Sequence, residues 1–293
     1  FILALERKIP MLGNIWYMPK GPGIKNISDF LNISDSIKEF AKNNKVFLVK
    51  AEPELVKSDI HIHEINSNGM DISRGIQASS TIIIDTSKNI DEIMSSFSSK
   101  TRYNIRSAAK SNLNSEIIPI NNSACKEFYK MMAQTINGRS PIREYDYYKL
   151  FWETHSKAGT GFFIFAKKDN QIMSMDFINT LGLKATRKDA ASTRDHSIHG
   201  ASAWLELEAI KYLKTKDIKE YDLYGSPPSD RIKDPTHPFY GFGNFKAGFN
   251  EKVTDYIGCI DIPINKIKFK LWKTYGERII RRIYRSIYNE SFY

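Results

Sequence analysis

The stretch Asp29–Val49 reads DFLNISDSIKEFAKNNKVFLV. Phe30, Ile33, Ile37 and Phe40 fall three or four residues apart, so Asp29–Asn43 is expected to be a helix with one apolar face. Asn43-Asn44 stops it, and Val46–Val49 then reads as a short buried strand. Upstream, Phe1–Leu5 and Ile15–Met18 read as strands, broken from the helix by Pro19-Lys20-Gly21-Pro22-Gly23. Strand alternating with helix marks an α/β protein.

Beyond this core, Glu52-Pro53 turns the chain, and Asn66–Gln77 is polar, a loop or a domain junction. A second unit follows. Thr81–Asp85 reads as a strand, and Ile90–Phe97, Lys100–Lys110, Cys125–Thr135 and Tyr145–His155 read as helices. Phe162–Lys167 and Ile172–Asn179 flank an Asp169-Asn170 turn, a hairpin signal. Ala201–Thr215 is a helix, Tyr221–Tyr224 a strand closing at Gly225, and Ile267–Tyr288 a basic amphipathic helix.

With 293 residues, 41% of them apolar and 26% charged, the chain has the composition of a folded protein of one large or two ordinary domains. No apolar run approaches the roughly 20 residues that span a bilayer. Phe1–Leu5 is too short for a signal-peptide core, and the opening Phe suggests a fragment. Cys125 and Cys259 are read as reduced thiols of a cytosolic protein.

The net charge of +10 is concentrated in two places. Lys100, Arg102, Arg106 and Lys110 contribute +4, and the segment Lys266–Arg285 contributes +7, leaving the rest at about −1. Such patches point to anionic partners: phosphates, nucleic acid or an anionic membrane face. Arg102, Arg106 and Lys110, spaced four apart, form one helical stripe with no acid beside it. In the C-terminal helix, Trp272, Tyr275, Ile279, Ile283 and Ile287 share a face. The three isoleucines are expected to dock on the protein, leaving Arg278, Arg281, Arg282 and Arg285 exposed to act electrostatically on nucleic acid or a membrane.

Several chemistries lack their motifs. There is no P-loop and no G-x-S-x-G elbow, and Gly241-Phe242-Gly243 lacks the rest of a dinucleotide fingerprint. His61-Ile62-His63, with Asp59, would share a strand face but offers no fourth metal ligand; His196 and His199 sit in a loop-like stretch. No metal is expected. The thiols have no evident His partner for nucleophilic work.

Four segments remain: Tyr17-Met18-Pro19-Lys20-Gly21-Pro22, the basic stripe Lys100–Lys110, Tyr221-Asp222-Leu223-Tyr224-Gly225, and Gly241-Phe242-Gly243-Asn244-Phe245-Lys246-Ala247-Gly248-Phe249. In the last, a lysine framed by aromatics and glycines faces a carboxylate or phosphate, or else snorkels over the core. In this order and spacing, over about Ile15–Ile262, the set resembles the FemABX family of peptidoglycan aminoacyltransferases, through its K-G-P turn, K-x-R-x-x-I-R-x-A-x-K helix, Y-D-x-x-G strand end and F-K-x-x-F segment.

The resemblance implies two acetyltransferase-like (GNAT-type) α/β domains with mixed sheets and no coiled-coil arm. Residues 1–79 completed by 255–293 would form the first, and 80–254 the second. It implies transfer of an amino acid from aminoacyl-tRNA to the stem peptide of a UDP-linked or lipid-linked peptidoglycan precursor, without a cofactor. The expected place of action is the cytoplasm, or the inner membrane face if the basic segment touches anionic lipid. Lys246, with Phe245, would contact the reacting carbonyl or the acceptor, and Glu52 would lie beside the substrate groove as a candidate base. Lys20, Gly21, Arg102, Arg106, Lys110, Arg139, Tyr148 and Asp222 would bind substrate, with Arg143 a rival to Arg139. The charged run Thr186–Ser192 departs from the aromatic character of relatives. Two other readings stay open: an acyl-CoA-dependent N-acyltransferase, although its pyrophosphate loop is missing, and a non-catalytic nucleic-acid binder.

Overall fold

The computed structural model describes residues 2–138, 142–193, 198–288 and 292. The chain divides into two compact units, residues 1–79 with 255–293 and residues 80–254. Along the first unit run β1 (Leu5–Ile9), β2 (Gly13–Met18), α1 (Ile27–Asn43), β3 (Val46–Ala51), α2 (Asp59–Ser67) and β4 (Asp71–Ser73). The second unit begins with β5 (Ser80–Asp85), α3 (Ile90–Ser96), α4 (Ser99–Ala109), β6 (Asn114–Ile118), α5 (Asn122–Ile136) and α6 (Tyr145–Lys157). It continues through β7 (Gly161–Lys168), β8 (Gln171–Leu181), β9 (Lys184–Ser192), α7 (Ala201–Thr215), β10 (Glu220–Asp222) and α8 (Tyr240–Ala247). After β11 (Val253–Asp255), β12 (Cys259–Pro263), α9 (Lys266–Leu271) and α10 (Glu277–Tyr288) return to the first unit.

Each unit is a mixed sheet with helices. Among the described residues, the first sheet has the order β1-β2-β3-β12-β4 and the second β11-β5-β10-β9-β8-β7-β6. In the first unit α1 connects the parallel pair β2 and β3. It starts where the Asn26 side chain accepts the Asp29 N–H, a satisfied N-cap. Phe30, Ile37 and Ala41 bury against Val49 and Ala51 of β3. Phe40, expected on the same face, is largely exposed and leans on Trp16 with ring centroids 5.6 Å apart.

In the second unit, α7 connects the parallel pair β9 and β10. Alternate residues of β7 serve opposite faces, as the pleat requires. Ile164 and Ala166 meet Leu205, Ile210 and Leu213 of α7, whereas Phe163 and Phe165 meet Phe128 of α5 and Trp152 of α6.

Three expectations are corrected. The first strand lies at Leu5–Ile9, not Phe1–Leu5, and forms an antiparallel hairpin with β2; its tight connection needs Met11 at φ 63°, a conformation the side chain does not advertise. His61 and His63 lie on the helix α2, capped by Ser58, not on a strand. The C-terminal segment is not one α-helix: a π turn at Trp272–Gly276 separates α9 from α10. A π turn inserts one residue into the helical count. The face that continues inward from buried Trp272 is therefore Ile280 and Tyr284, and Ile279, Ile283 and Ile287 stand exposed.

In the first sheet, Lys50 of β3 lies opposite Asp261 of β12, and their side chains pair at 2.6 Å with almost no exposure. Removing one member leaves a buried charge unpaired. Lys50→Ala is expected to lower unfolding stability by about 3–5 kcal/mol in denaturant titration, with a much smaller loss when Lys50→Met and Asp261→Leu are combined.

Candidate active site

Each unit carries a polar cluster at the carboxyl end of its parallel strand pair, where a sheet opens to receive ligands. In the first unit, β2 and β3 run parallel from Asn14↔Val46, past a register shift between Asn14 and Ile15, to Met18↔Ala51. The chain then turns through Pro19 and Lys20, which takes the left-handed conformation at φ 52°, and the Gly21 N–H donates to Met18 O at 3.3 Å. The Gly21–Pro22 peptide is cis. Glu52, just past β3, is buried. It accepts Tyr17 Oη at 2.5 Å, the Ile76 N–H at 2.6 Å and the Gln77 N–H at 3.1 and 3.2 Å. Gln77 Nε2 donates in turn to Tyr17 Oη at 3.0 Å. Burial, with the Glu52 carboxylate beside it, holds the Tyr17 phenol far above its ordinary pKa.

Glycine is required at position 75, because a Cβ there would lie 2.9 Å from Glu52 Oε1 and 2.3 Å from Ser79 Oγ. Lys20 Nζ lies 3.1 Å from Glu54 Oε1 and 4.7 Å from the Tyr256 ring centre. Lys20, Glu52, Gln77, Tyr256 and Gly258 line a small pocket of about 10 Å³, room for about one water.

In the second unit the parallel ladder is short: Glu220↔Lys184, Tyr221↔Ala185 and Asp222↔Thr186. Beyond Asp222 the strands part, β9 continuing along β8 while the other chain bends through Tyr224 and Gly225, both left-handed. Asp222 holds this bend. It accepts Thr81 Oγ1 at 2.5 Å and the Tyr224 N–H at 2.8 Å, with Lys184 Nζ at 3.4 Å. Lys246 reaches the same bend from α8. Its Nζ donates to Tyr224 O at 2.6 Å and to Gly225 O at 2.8 Å, and it is 7% exposed, so it does not snorkel to water.

A buried charge network belongs to the same cluster. Arg187 of β9 pairs with Asp176 of β8 at 2.8 Å and with Glu206 of α7 at 2.5 Å. Glu206 also accepts Tyr221 Oη at 2.8 Å. The Arg187 guanidinium lies 5.7 Å from the Phe245 ring centre, adjacent in sequence to Lys246. Asp176 and Glu206 are fully buried, and burial raises both carboxyl pKa values despite Arg187. Burial, and then the Arg187 charge, lowers Lys246 to about 7.

The remaining candidates separate. Arg102 is engaged locally: its guanidinium donates to Ser95 O at 3.1 Å and to Phe97 O, capping the end of α3. Arg106 and Lys110 are exposed on α4. Tyr148 packs on Trp152 and Tyr129, with ring centroids 5.4 and 5.9 Å away, and burial raises its phenol to about 12. Arg143 lies over Tyr147 at 4.5 Å. Arg139 and His196 fall outside the described residues. His61 Nδ1 contacts Val56 O at 2.8 Å, and among the described residues no group of three or more His, Cys, Asp or Glu side chains is placed to hold a metal. Both thiols are buried, and burial pushes Cys125 up to about 11.

Sequence reading missed Tyr17, Gln77, Asp176, Arg187 and Glu206. The last three carried a signal. Asp176 interrupts the apolar strand Ile172–Ile178, and Glu206 stands between Leu205 and Leu207 in an apolar helix. The charged run Thr186–Ser192, read as a departure from the aromatic character of relatives, includes Arg187, which pairs with buried Asp176 and Glu206.

The fold is that of a mixed α/β protein of two units, each with a polar cluster at the end of its parallel strand pair. The chain matches the FemAB family over residues 63–197 and 189–276, and it belongs to that family. Membership brings the family's broad activity, aminoacyl transfer in the building of peptidoglycan bridges. Among solved structures, FemX is similar over 92% of this chain and 86% of its own, with a TM-score of 0.79 and 17% identity. The C-terminal domain of a putative lysylphosphatidylglycerol synthetase from Agrobacterium fabrum follows at a TM-score of 0.52 and 15% identity, covering 94% of this chain and 85% of that one. L-PGS from Bacillus licheniformis has a TM-score of 0.51 and 11% identity, covering 93% and 85%. None of the curated proteins matches significantly in sequence. No described helix is long and apolar enough to cross a membrane.

The lowered basicity of Lys246 has a thermodynamic sign. An unfolded lysine titrates near about 10.4, so between about pH 7 and pH 10 the unfolded state binds the extra proton. Stability contributed by this group is therefore expected to rise with pH across that window. Denaturant titrations at pH 7 and 9.5 check this: the rise should be smaller in Lys246→Met, and an identical rise would mean Lys246 keeps ordinary basicity.

Proposed function

We propose that the chain moves an amino acid from aminoacyl-tRNA to an amine of the stem peptide of a peptidoglycan precursor, in the cytoplasm. The observation that carries the reading is Lys246, buried at the open end of the β9–β10 pair and aimed by two carbonyl oxygens. The acceptor nitrogen attacks the ester carbonyl carbon, forming a C–N bond; the C–O bond to the tRNA ribose breaks, and the ribose oxygen leaves with a proton. The ester is already activated, so no covalent enzyme intermediate is needed. The protein's task is to align two anionic substrates and to stabilise the oxyanion. In this reading protonated Lys246 faces that oxyanion, and Phe245 keeps it in place against Arg187.

Glu52 takes a positioning role. Its oxygens are engaged by Tyr17 and the loop N–H groups of Ile76 and Gln77, which leaves it poorly placed to accept a substrate proton. The surface around Lys20 and the following Gly21 in the first unit is then where the precursor docks, and Asp222 supports the bend that Lys246 grips. Arg106 and Lys110 supply phosphate contacts, while Arg102 holds their helix. The acceptor's carrier, nucleotide or lipid, is open to the same assay.

With charged tRNA and a muropeptide precursor, Lys246→Ala is expected to lower turnover by about 100- to 1000-fold, the cost of one oxyanion donor, with thermal unfolding unchanged or improved. If Lys246 acts as a cation, kcat/KM should fall as pH rises through about 7, where it loses its proton. A rise there would make it a base, and turnover near normal in Lys246→Ala would remove it from the mechanism.

A second measurement concerns α4. Replacing Arg106 and Lys110 by Glu should weaken tRNA binding and reduce the slope of log affinity against log salt by about 1.5 to 2. An unchanged slope would leave them as a solvated face.

A further inference from the structure

The C-terminal segment of the first unit shows a surface that aminoacyl transfer does not use. Ile267, Leu271, Tyr275, Ile279, Ile283 and Ile287 recur every fourth residue, and each is 47% to 76% exposed. An uninterrupted α-helix would wind such a four-residue series steadily around its axis. The π turn at Trp272–Gly276 sets that winding back midway. Gly276 permits the turn, because a Cβ there would lie 2.9 Å from the Trp272 ring. Phe269, Trp272, Ile280 and Tyr284 meanwhile dock the segment on its own unit, against Ile9, Phe47 and Phe292. The exposed stripe is thus not a misplaced docking face; the segment has both.

Basic residues flank the stripe. Lys266, Lys270, Arg278, Arg282 and Arg285 are exposed and have no ion pair among the described residues. Only Glu277 is acidic between Lys266 and Arg285, a stretch carrying +7. Exposed apolar rows of this extent mark interaction sites. The candidate occupants differ in chemistry. Nucleic acid would satisfy the cations but leave six apolar side chains in water. A second copy meeting this face would set +7 against +7. An anionic lipid surface matches both features at once, taking apolar side chains into the interface and cations at the headgroups.

We propose that α9 through α10 is an interfacial anchor that lays the first unit on an anionic bilayer, with Ile279, Ile283 and Ile287 entering the headgroup–acyl boundary. The proposal rests on this surface alone and not on the transfer reaction, so its test needs no substrate.

The experiment is flotation of the full chain with vesicles of phosphatidylcholine and phosphatidylglycerol at 3:1, and with phosphatidylcholine alone, at 50 and 500 mM salt. Two variants are compared after thermal unfolding shows that they fold: Ile279→Asn with Ile283→Asn and Ile287→Asn, and Arg278→Gln with Arg282→Gln and Arg285→Gln. The native chain should float with anionic vesicles, more weakly at high salt. The arginine variant should bind about 100-fold more weakly at 50 mM salt, roughly five-fold per charge, and the isoleucine variant should lose the binding that survives 500 mM salt. Failure to float at 50 mM salt overturns the proposal. So does an isoleucine variant that binds as the native chain does, since the stripe then stays out of the lipid. Loss of tRNA binding in the arginine variant without any vesicle binding would make the face a nucleic-acid contact instead. Isoleucine-dependent self-association in sedimentation, again without vesicle binding, would make it a contact between copies.

Discussion

The second unit is organised around a guanidinium that has almost no contact with water. Arg187 sits between Asp176 and Glu206, three charges contributed by β9, β8 and α7. Charges so deeply buried persist only where they compensate one another. Counting Lys246, the cluster holds two groups of each sign and is neutral when all are ionised. It remains neutral if Lys246 releases its proton and Glu206 holds one. That freedom accompanies a lysine lowered to about 7 beside carboxyls whose burial raises them. The price of removing Arg187 would fall on both acids together, and the Phe245 ring would lose the cation it faces.

The two units solve a similar problem with different materials. Both use a strand–helix–strand crossover to make a parallel pair, and both place polar groups where that pair ends. In the first, β2 and β3 stay paired to their ends, and a neutral-to-acidic brace of Tyr17, Glu52 and Gln77 ties the 75–79 loop to them. In the second, the ladder stops after three residue pairs, and the gap is held by Asp222 from one side and Lys246 from another. The first arrangement fixes a loop beside a pocket; the second fixes one buried lysine nitrogen.

The α/β class and helices such as Ala201–Thr215 were legible because apolar periodicity reports burial directly, whereas the two mixed sheets were implied by the family resemblance alone. Lys246 stood out for a related reason, as a lone cation among aromatics and glycines. Arg187 did not, because charges that neutralise each other in a core come from three separated segments and no local pattern joins them. Glu52 was legible as a residue of interest, but its partners Tyr17, Ile76 and Gln77 lie up to 35 residues away. Arg102 looked like part of a uniform stripe, since a cation turned back onto the carbonyls of the preceding helix has the same spacing as one facing solvent. The C-terminal segment misled for a geometric reason: helical periodicity assumes a constant count per turn, and Trp272–Gly276 breaks it.

That break makes the segment tolerant of a change in length. Deleting a single residue within the π turn would restore the α-helical count without altering the character of any remaining side chain. Everything after it would keep its phase, because the turn already absorbs one residue beyond that count. The row from Ile279 would stay outward, and Ile280 and Tyr284 would keep their seats beside Trp272. Winding the same residues into unbroken α-helix, with no deletion, would instead rotate both rows by about 100°, the angular step of one helical residue. One amino acid thus acts as a phase setting between two faces of the same helix, and the turn that holds it is what keeps each face in its place.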